Sequence, residues 1–266
     1  MAIDFGTASV FRQSLDDVFT RLRAASLIIL PWALIETSLT YFTTKSFWQL
    51  AAVILLYLTG GVSMAVNWHR LVLLNERPKI WQLIRFDKFS LHYLGQLMIN
   101  LLLVTLAIAL VAADYSVMSL FVNIDFLLRN PTVFVTVYVG IIFGAWLFNA
   151  TLAVSLPAVA IGNVDYEFSD GHRFGRKHWF QIALLEILLL VTGFLLAFVG
   201  VFLQNLLSTP WDLMMLLGKD GTVTNMLYFL KSVEILVPHL VAWFNILLSI
   251  SVITCLYKAS QLKREV

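Results

Sequence analysis

Six apolar runs limit what this chain can fold into. They lie at roughly 24–44, 48–67, 91–113, 131–158, 180–205 and 234–257, each long enough for a helix to cross a hydrocarbon core about 30 Å thick. Backbone groups in lipid must be satisfied within the segment, so these runs are expected to be helices. At 60% hydrophobic and 13% charged residues, with a mean hydropathy of +0.85, the chain has too little polar surface to cover itself in water. The expected fold class is therefore all-α: a polytopic membrane protein with six transmembrane helices in three antiparallel hairpins. An N-terminal amphipathic helix and short interfacial helices complete it. Residues 1–23 form a cytoplasmic amphipathic segment, 24–257 the transmembrane domain and 258–266 a basic tail.

Six spans put both termini on one side, and the basic residues choose the side. Only Lys45, Arg129, Lys219 and Lys231 of the eighteen Lys and Arg residues fall in the loops of the opposite face. The positive-inside rule then makes both termini cytoplasmic, in a bacterial inner membrane. The start of the chain shows neither a basic n-region before a short apolar core nor a small-residue cleavage site, so the first spans are expected to serve as uncleaved insertion signals. A single cysteine, Cys255, supplies neither a disulfide nor a cysteine metal cluster.

Ahead of the first span, Phe11, Leu15, Val18, Phe19 and Leu22 recur at helical spacing, with Arg12, Asp16, Asp17 and Arg21 opposite. Such a helix suits the inner leaflet or the cytoplasmic ends of the bundle equally well. On the other side, "STPWDLMMLLGKDG" offers Thr209 as an N-cap, Pro210 at the first helical position and Gly218 as a stop, which predicts a short surface helix. "DYSVMSLFVNIDFLLRNP" reads similarly. Residues 63–94 laid on 151–182 match Ala65 with Ala153, Asn75 with Asn163, Arg85 with Arg173 and Phe86 with Phe174, a weak internal repeat.

"AVNWHRLVLLNERPK" (65–79) brings Trp68, His69 and Arg70 to the exit of the second span, where a Trp and a snorkelling Arg predict an interface anchor. Farther along, "GNVDYEFSDGHRFGRKHW" (162–179) is the densest polar stretch. Its acids and histidines lack metal-ligand spacing, so no metal is expected. Bases gather before each odd-numbered span, and Arg85, Lys88, Arg173, Arg176 and Lys177 are the candidate lipid-phosphate ligands.

Inside the spans, Glu36 and Glu186 each cost roughly 2.5–3.5 kcal/mol on insertion scales unless partnered. The candidate partners are Asn100, Asn149 and Asn245 in other spans. Pro31, Pro157 and Pro238 should kink their helices, and Gly60 with Gly61 should permit a close crossing. No nucleophile elbow, phosphate-binding glycine loop or His-Glu-x-x-His pattern is present, so neither catalytic residues nor a cofactor is expected.

At "AVNWHRLVLLNERP", and again at "SLPAVAIGN" with "FSDGHRFGRKHWF", the chain resembles a group of uncharacterised six-span inner-membrane proteins of alphaproteobacteria. More distantly it is similar to the membrane domain attached to some bacterial glycerophosphodiester phosphodiesterases. The resemblance implies a lipid-associated membrane module and carries over no phosphodiesterase residue. The expected role is a non-enzymatic module that binds anionic lipid, a membrane-protein partner or a second copy at its cytoplasmic face, with no nucleic acid. The competing expectation is a small-solute or proton-coupled transporter lined by Glu36, Glu186, Asn149 and Asn245.

Overall fold

The computed structural model describes residues 6–42, 47–79, 82–85, 87–118, 131–217 and 221–262. Among them the regular structure is helical: α1 (Thr7–Thr20), α2 (Leu22–Phe42), α3 (Phe47–Leu74), α4 (Lys88–Met118), α5 (Pro131–Ala153), α6 (Leu156–Ile161), α7 (Phe168–Lys177), α8 (Trp179–Leu217) and α9 (Gly221–Leu262). Six stretches are long and apolar enough to cross a membrane: Leu22–Thr40, Ala51–Leu74, Lys88–Leu106, Phe143–Ile161, Trp179–Leu206 and Lys231–Leu262. The protein is thus a multi-pass helical membrane protein. Large apolar side chains such as Leu102, Phe194 and Phe198 point outward at 67–72% exposure. That arrangement is a liability in water and matches the solvent in lipid.

Chain neighbours α2 and α3, α4 and α5, and α8 and α9 pack together, while α9 also touches α1, α2 and α3 and so forms the spine of the bundle. One tight crossing is at Gly60 of α3. A Cβ there would lie 2.7 Å from the Trp243 ring and 2.9 Å from that of Trp32, so only glycine lets both indoles close over the helix. Trp243 stacks on Tyr57 with ring centroids 4.9 Å apart. A second core joins Val10, Ala150, Phe174, Ile182, Leu248 and Val252 from α1, α5, α7, α8 and α9.

Helix α1 packs on the bundle through Val10, Ser14 and Val18, an i, i+4 ridge. The Ser14 carbonyl accepts a hydrogen bond from the Ser251 hydroxyl of α9 at 3.1 Å. Phe19, expected on the apolar face, is 59% exposed, because the buried ridge runs one residue behind the expected stripe. Another difference concerns Thr209. Helix α8 continues through Pro210 to Leu217 as one element, where a separate short helix was predicted. A proline withholds one N–H from a helix but need not end it, and glycine does not follow until Gly218. Of the similar segment between the third and fourth spans, residues 119–130 lie outside the described residues.

Pro31 lies inside α2 and Pro238 inside α9. Span four breaks at Val154 and Ser155, and Pro157 opens the short α6, which ends at Gly162 with φ 73°. A Cβ on Gly162 would meet the Phe89 ring at 2.8 Å, so conformation and space both require glycine. Helix α7 lies equally close to α5, for a Cβ on Gly175 would be 2.9 Å from the Thr151 Cα.

Candidate functional site

One polar network collects where α3, α4, α6 and the α3–α4 connection, the described residues between Asn75 and Asp87, meet. That connection folds back on α3 because Ser63 and Asn67, one turn apart, stand in for backbone partners. The Arg85 N–H donates to Ser63 Oγ at 3.0 Å, and Asn67 Nδ2 donates to the Gln82 carbonyl at 2.8 Å. Arg85 is thereby drawn inward to 8% exposure. Its guanidinium lies 3.5 Å from Glu76 Oε1 and 3.3 Å from Asp87 Oδ2. Glu76 also holds Arg70 at 2.6 Å, and Arg70 donates to the Ala160 carbonyl at 3.2 Å while its guanidinium lies over the Phe89 ring. Two arginines and two carboxylates thus bind α3, α4 and α6 into one unit.

Asp87 opens α4 as its N-cap. Its carboxylate accepts from the Ser90 N–H at 3.0 Å and the Ser90 hydroxyl at 3.1 Å. Burial pushes the Asp87 pKa up, but the two Ser90 hydrogen bonds and the charges of Arg85 and Arg70 outweigh it and hold the pKa below the usual aspartate value.

The Trp-His-Arg exit is not a headgroup anchor as a unit. Trp68 and His69 are both at 0% exposure, because α4, α6 and α9 cover this turn of α3. His69 Nδ1 lies 2.8 Å from Thr254 Oγ1, whose own proton goes to the Ile250 carbonyl, so the imidazole is the donor. Its Nε2 faces the Tyr93 hydroxyl at 3.4 Å. Arg70 keeps partial exposure but is committed to Glu76.

The five candidate phosphate ligands therefore separate. Arg85 is buried and paired, whereas Lys88, Arg173, Arg176 and Lys177 are exposed, and among the described residues no carboxylate pairs with them. The last three occupy the outer face of α7, whose inner face buries Gly171, Phe174 and Gly175. Just beyond them Trp179 and Phe180, 54% and 57% exposed, begin α8. Lys88 and His92 line a cleft of about 630 Å³ together with Gly95, Ile99 and Val159. No group of three or more acidic, histidine or cysteine side chains with metal-binding geometry occurs among the described residues.

Within the membrane, Glu36 is 6% exposed and well partnered. Its carboxylate accepts from Tyr57 Oη at 2.7 Å and Trp243 Nε1 at 2.8 Å, and His239 Nδ1 lies 3.2 Å away. None of the three asparagines is involved. Asn100 Oδ1 accepts from Gln96 of its own helix at 3.2 Å, Asn245 packs against Gly193 of α8, and the side-chain oxygens of Asn149 and Asn245 are buried without a hydrogen bond. Glu186 is half-buried on α8, and among the described residues no hydrogen bond or ion pair joins it to Glu36. The partners Tyr57, His239 and Trp243 carry only a faint mark in the sequence, one donor in the second span and two in the sixth. Only helix rotation brings them together.

No family model matches the chain, and no curated protein or solved structure matches it.

Proposed function

We propose that the protein is a non-enzymatic module of a bacterial inner membrane that binds anionic lipid at its cytoplasmic face, with α7 as the contact surface. One observation carries this reading. Arg173, Arg176 and Lys177 stand exposed and without carboxylate partners beside the exposed Trp179 and Phe180. Bases next to interfacial aromatics suit the level of lipid phosphates, where each base contributes about 1 kcal/mol. The cleft beside Lys88 combines a mostly apolar lining with that base, which fits the same ligand class. Three antiparallel hairpins with cytoplasmic termini, and kinship with the six-span alphaproteobacterial group, complete the proposal.

The test is reconstitution into nanodiscs of phosphatidylcholine with a minor fraction of phosphatidylglycerol, followed by measurement of anionic lipid enrichment around the protein. Enrichment is expected in wild type and should fall severalfold in R173Q/R176Q/K177Q. Equal enrichment in the two proteins would refute the reading.

A second reading, proton-coupled solute passage, has the Glu36–His239 contact in its favour, because a carboxylate and an imidazole meet inside the spans at 3.2 Å. It requires proton flux in proteoliposomes that E36Q abolishes. Unchanged flux in E36Q would remove its support.

A further inference from the structure

A separate basic cleft lies between the start of α2 and the turn after α3. It measures about 600 Å³ and is lined by Thr20, Arg21, Arg23, Leu27, Leu71 and Arg77, among others. We infer that this cleft seats the headgroup of one anionic phospholipid, at a site distinct from the α7 surface.

The chain builds the cleft from two sides. Helix α3 stops at Leu74, and Asn75 takes φ 55°, a left-handed conformation that asparagine tolerates better than most residues. The Glu76 N–H then returns to the Arg70 carbonyl at 3.2 Å while its carboxylate holds Arg70 and Arg85. With Glu76 fixed inward, the next side chain, Arg77, falls in the cleft and is exposed. On the facing side, Arg21 breaks α1 from α2 at φ −112° and is followed closely by Arg23, also exposed.

Charge defines the ligand. Of the three guanidiniums in the cleft only Arg21 has a carboxylate, Asp17 at 2.6 Å, and Asp17 is shared with Lys258 at 3.3 Å. Among the described residues Arg23 and Arg77 have no carboxylate partner. Guanidiniums present paired N–H donors that match phosphate oxygens. The cleft also has an apolar lining, to which Ala24, Leu27, Leu71 and Pro78 contribute. Leu27 begins an outward stripe on α2 with Leu30 and Leu34, at 46%, 41% and 46% exposure. Free phosphate would satisfy the guanidiniums alone. An amphiphile with an anionic head satisfies the guanidiniums and the stripe together.

The experiment is native mass spectrometry of the full chain released from nanodiscs of phosphatidylcholine with phosphatidylglycerol. The readout is the phosphatidylglycerol retained as collisional activation rises. Wild type is expected to keep phosphatidylglycerol, R23Q/R77Q to retain on the order of tenfold less, and R23K/R77K, which preserves both charges but not the paired donors, to retain an intermediate amount. In the R173Q/R176Q/K177Q variant this retained lipid should persist, so the site stands or falls apart from α7. Retention in R23Q/R77Q equal to wild type would overturn the assignment. So would loss in the α7 variant alone, or Lys variants that retain no more than the Gln pair. Displacement of the lipid by millimolar inorganic phosphate would show a free-phosphate site and overturn the lipid assignment too.

Discussion

The indole N–H of Trp243 donates to Glu36 Oε2 at 2.8 Å, joining α9 to α2 where the Trp243 side chain has no exposure. Glu36 also accepts from Tyr57 of α3, so a single carboxylate gathers three helices. A polar group in this position is stabilising only while its partners hold it.

Trp243→Phe should therefore cost about 1 kcal/mol, within the range of hydrogen bonds between membrane helices. Combined with Glu36→Gln, the loss should be smaller than the two single losses added, since both remove part of one interaction. Reversible unfolding in mixed micelles measures the cycle, and strictly additive losses would show that the bond contributes nothing.

The two adjacent glycines of α3 should behave differently. A methyl at Gly60 would enter the space of Trp243 and Trp32, whereas one at Gly61 would meet nothing within 4 Å. Gly60→Ala should destabilise by about 1–3 kcal/mol through overpacking. Gly61→Ala should be neutral or slightly stabilising, as expected for a helix interior. Thermal melts of the two variants side by side check the contrast; similar losses would contradict the crossing.

Acid should weaken the start of α4 through Asp87. Its pKa is lowered in the folded protein, so its carboxylate contributes stability fully above the ordinary aspartate value of about 3.9. That contribution disappears as pH falls through the lowered folded value. Wild type should thus lose stability on acidification in a way that Asp87→Asn does not. Melting temperatures at stepped acidic pH test this, and parallel curves would count against it. Separately from pH, Asp87→Ala should cost about 1 kcal/mol through the lost cap.

Glu76→Gln should loosen the 82–87 connection more than any part of the membrane core. Arg85, whose side chain is 7% exposed, would keep only Asp87, and Arg70 would lose its ion pair. A loss of about 2 kcal/mol is expected from weakening the hydrogen bonds to these charged groups. Hydrogen exchange should speed up at Arg85, whose N–H is bonded to Ser63 Oγ. Unchanged exchange there would mean that Ser63 and Asn67 alone hold the segment.

Six spans and their approximate limits were legible from the sequence, because hydropathy is a local sum and lipid leaves the backbone no alternative to hydrogen-bonded helix. The need to house Glu36 was equally plain, since an intramembrane carboxylate demands a partner. Which partner it takes depends on how α2, α3 and α9 rotate against one another, and the answer was Tyr57, His239 and Trp243 instead of an asparagine. Arg85 and Arg173 make the same point. They occupy matching places in the weak repeat and look alike as basic residues near span starts. Packing buries Arg85 between Glu76 and Asp87 while leaving Arg173 exposed on α7. A charge's sign and approximate depth are written in the chain, but whether it is neutralised depends on the packed surfaces that surround it, and tertiary structure alone supplies those.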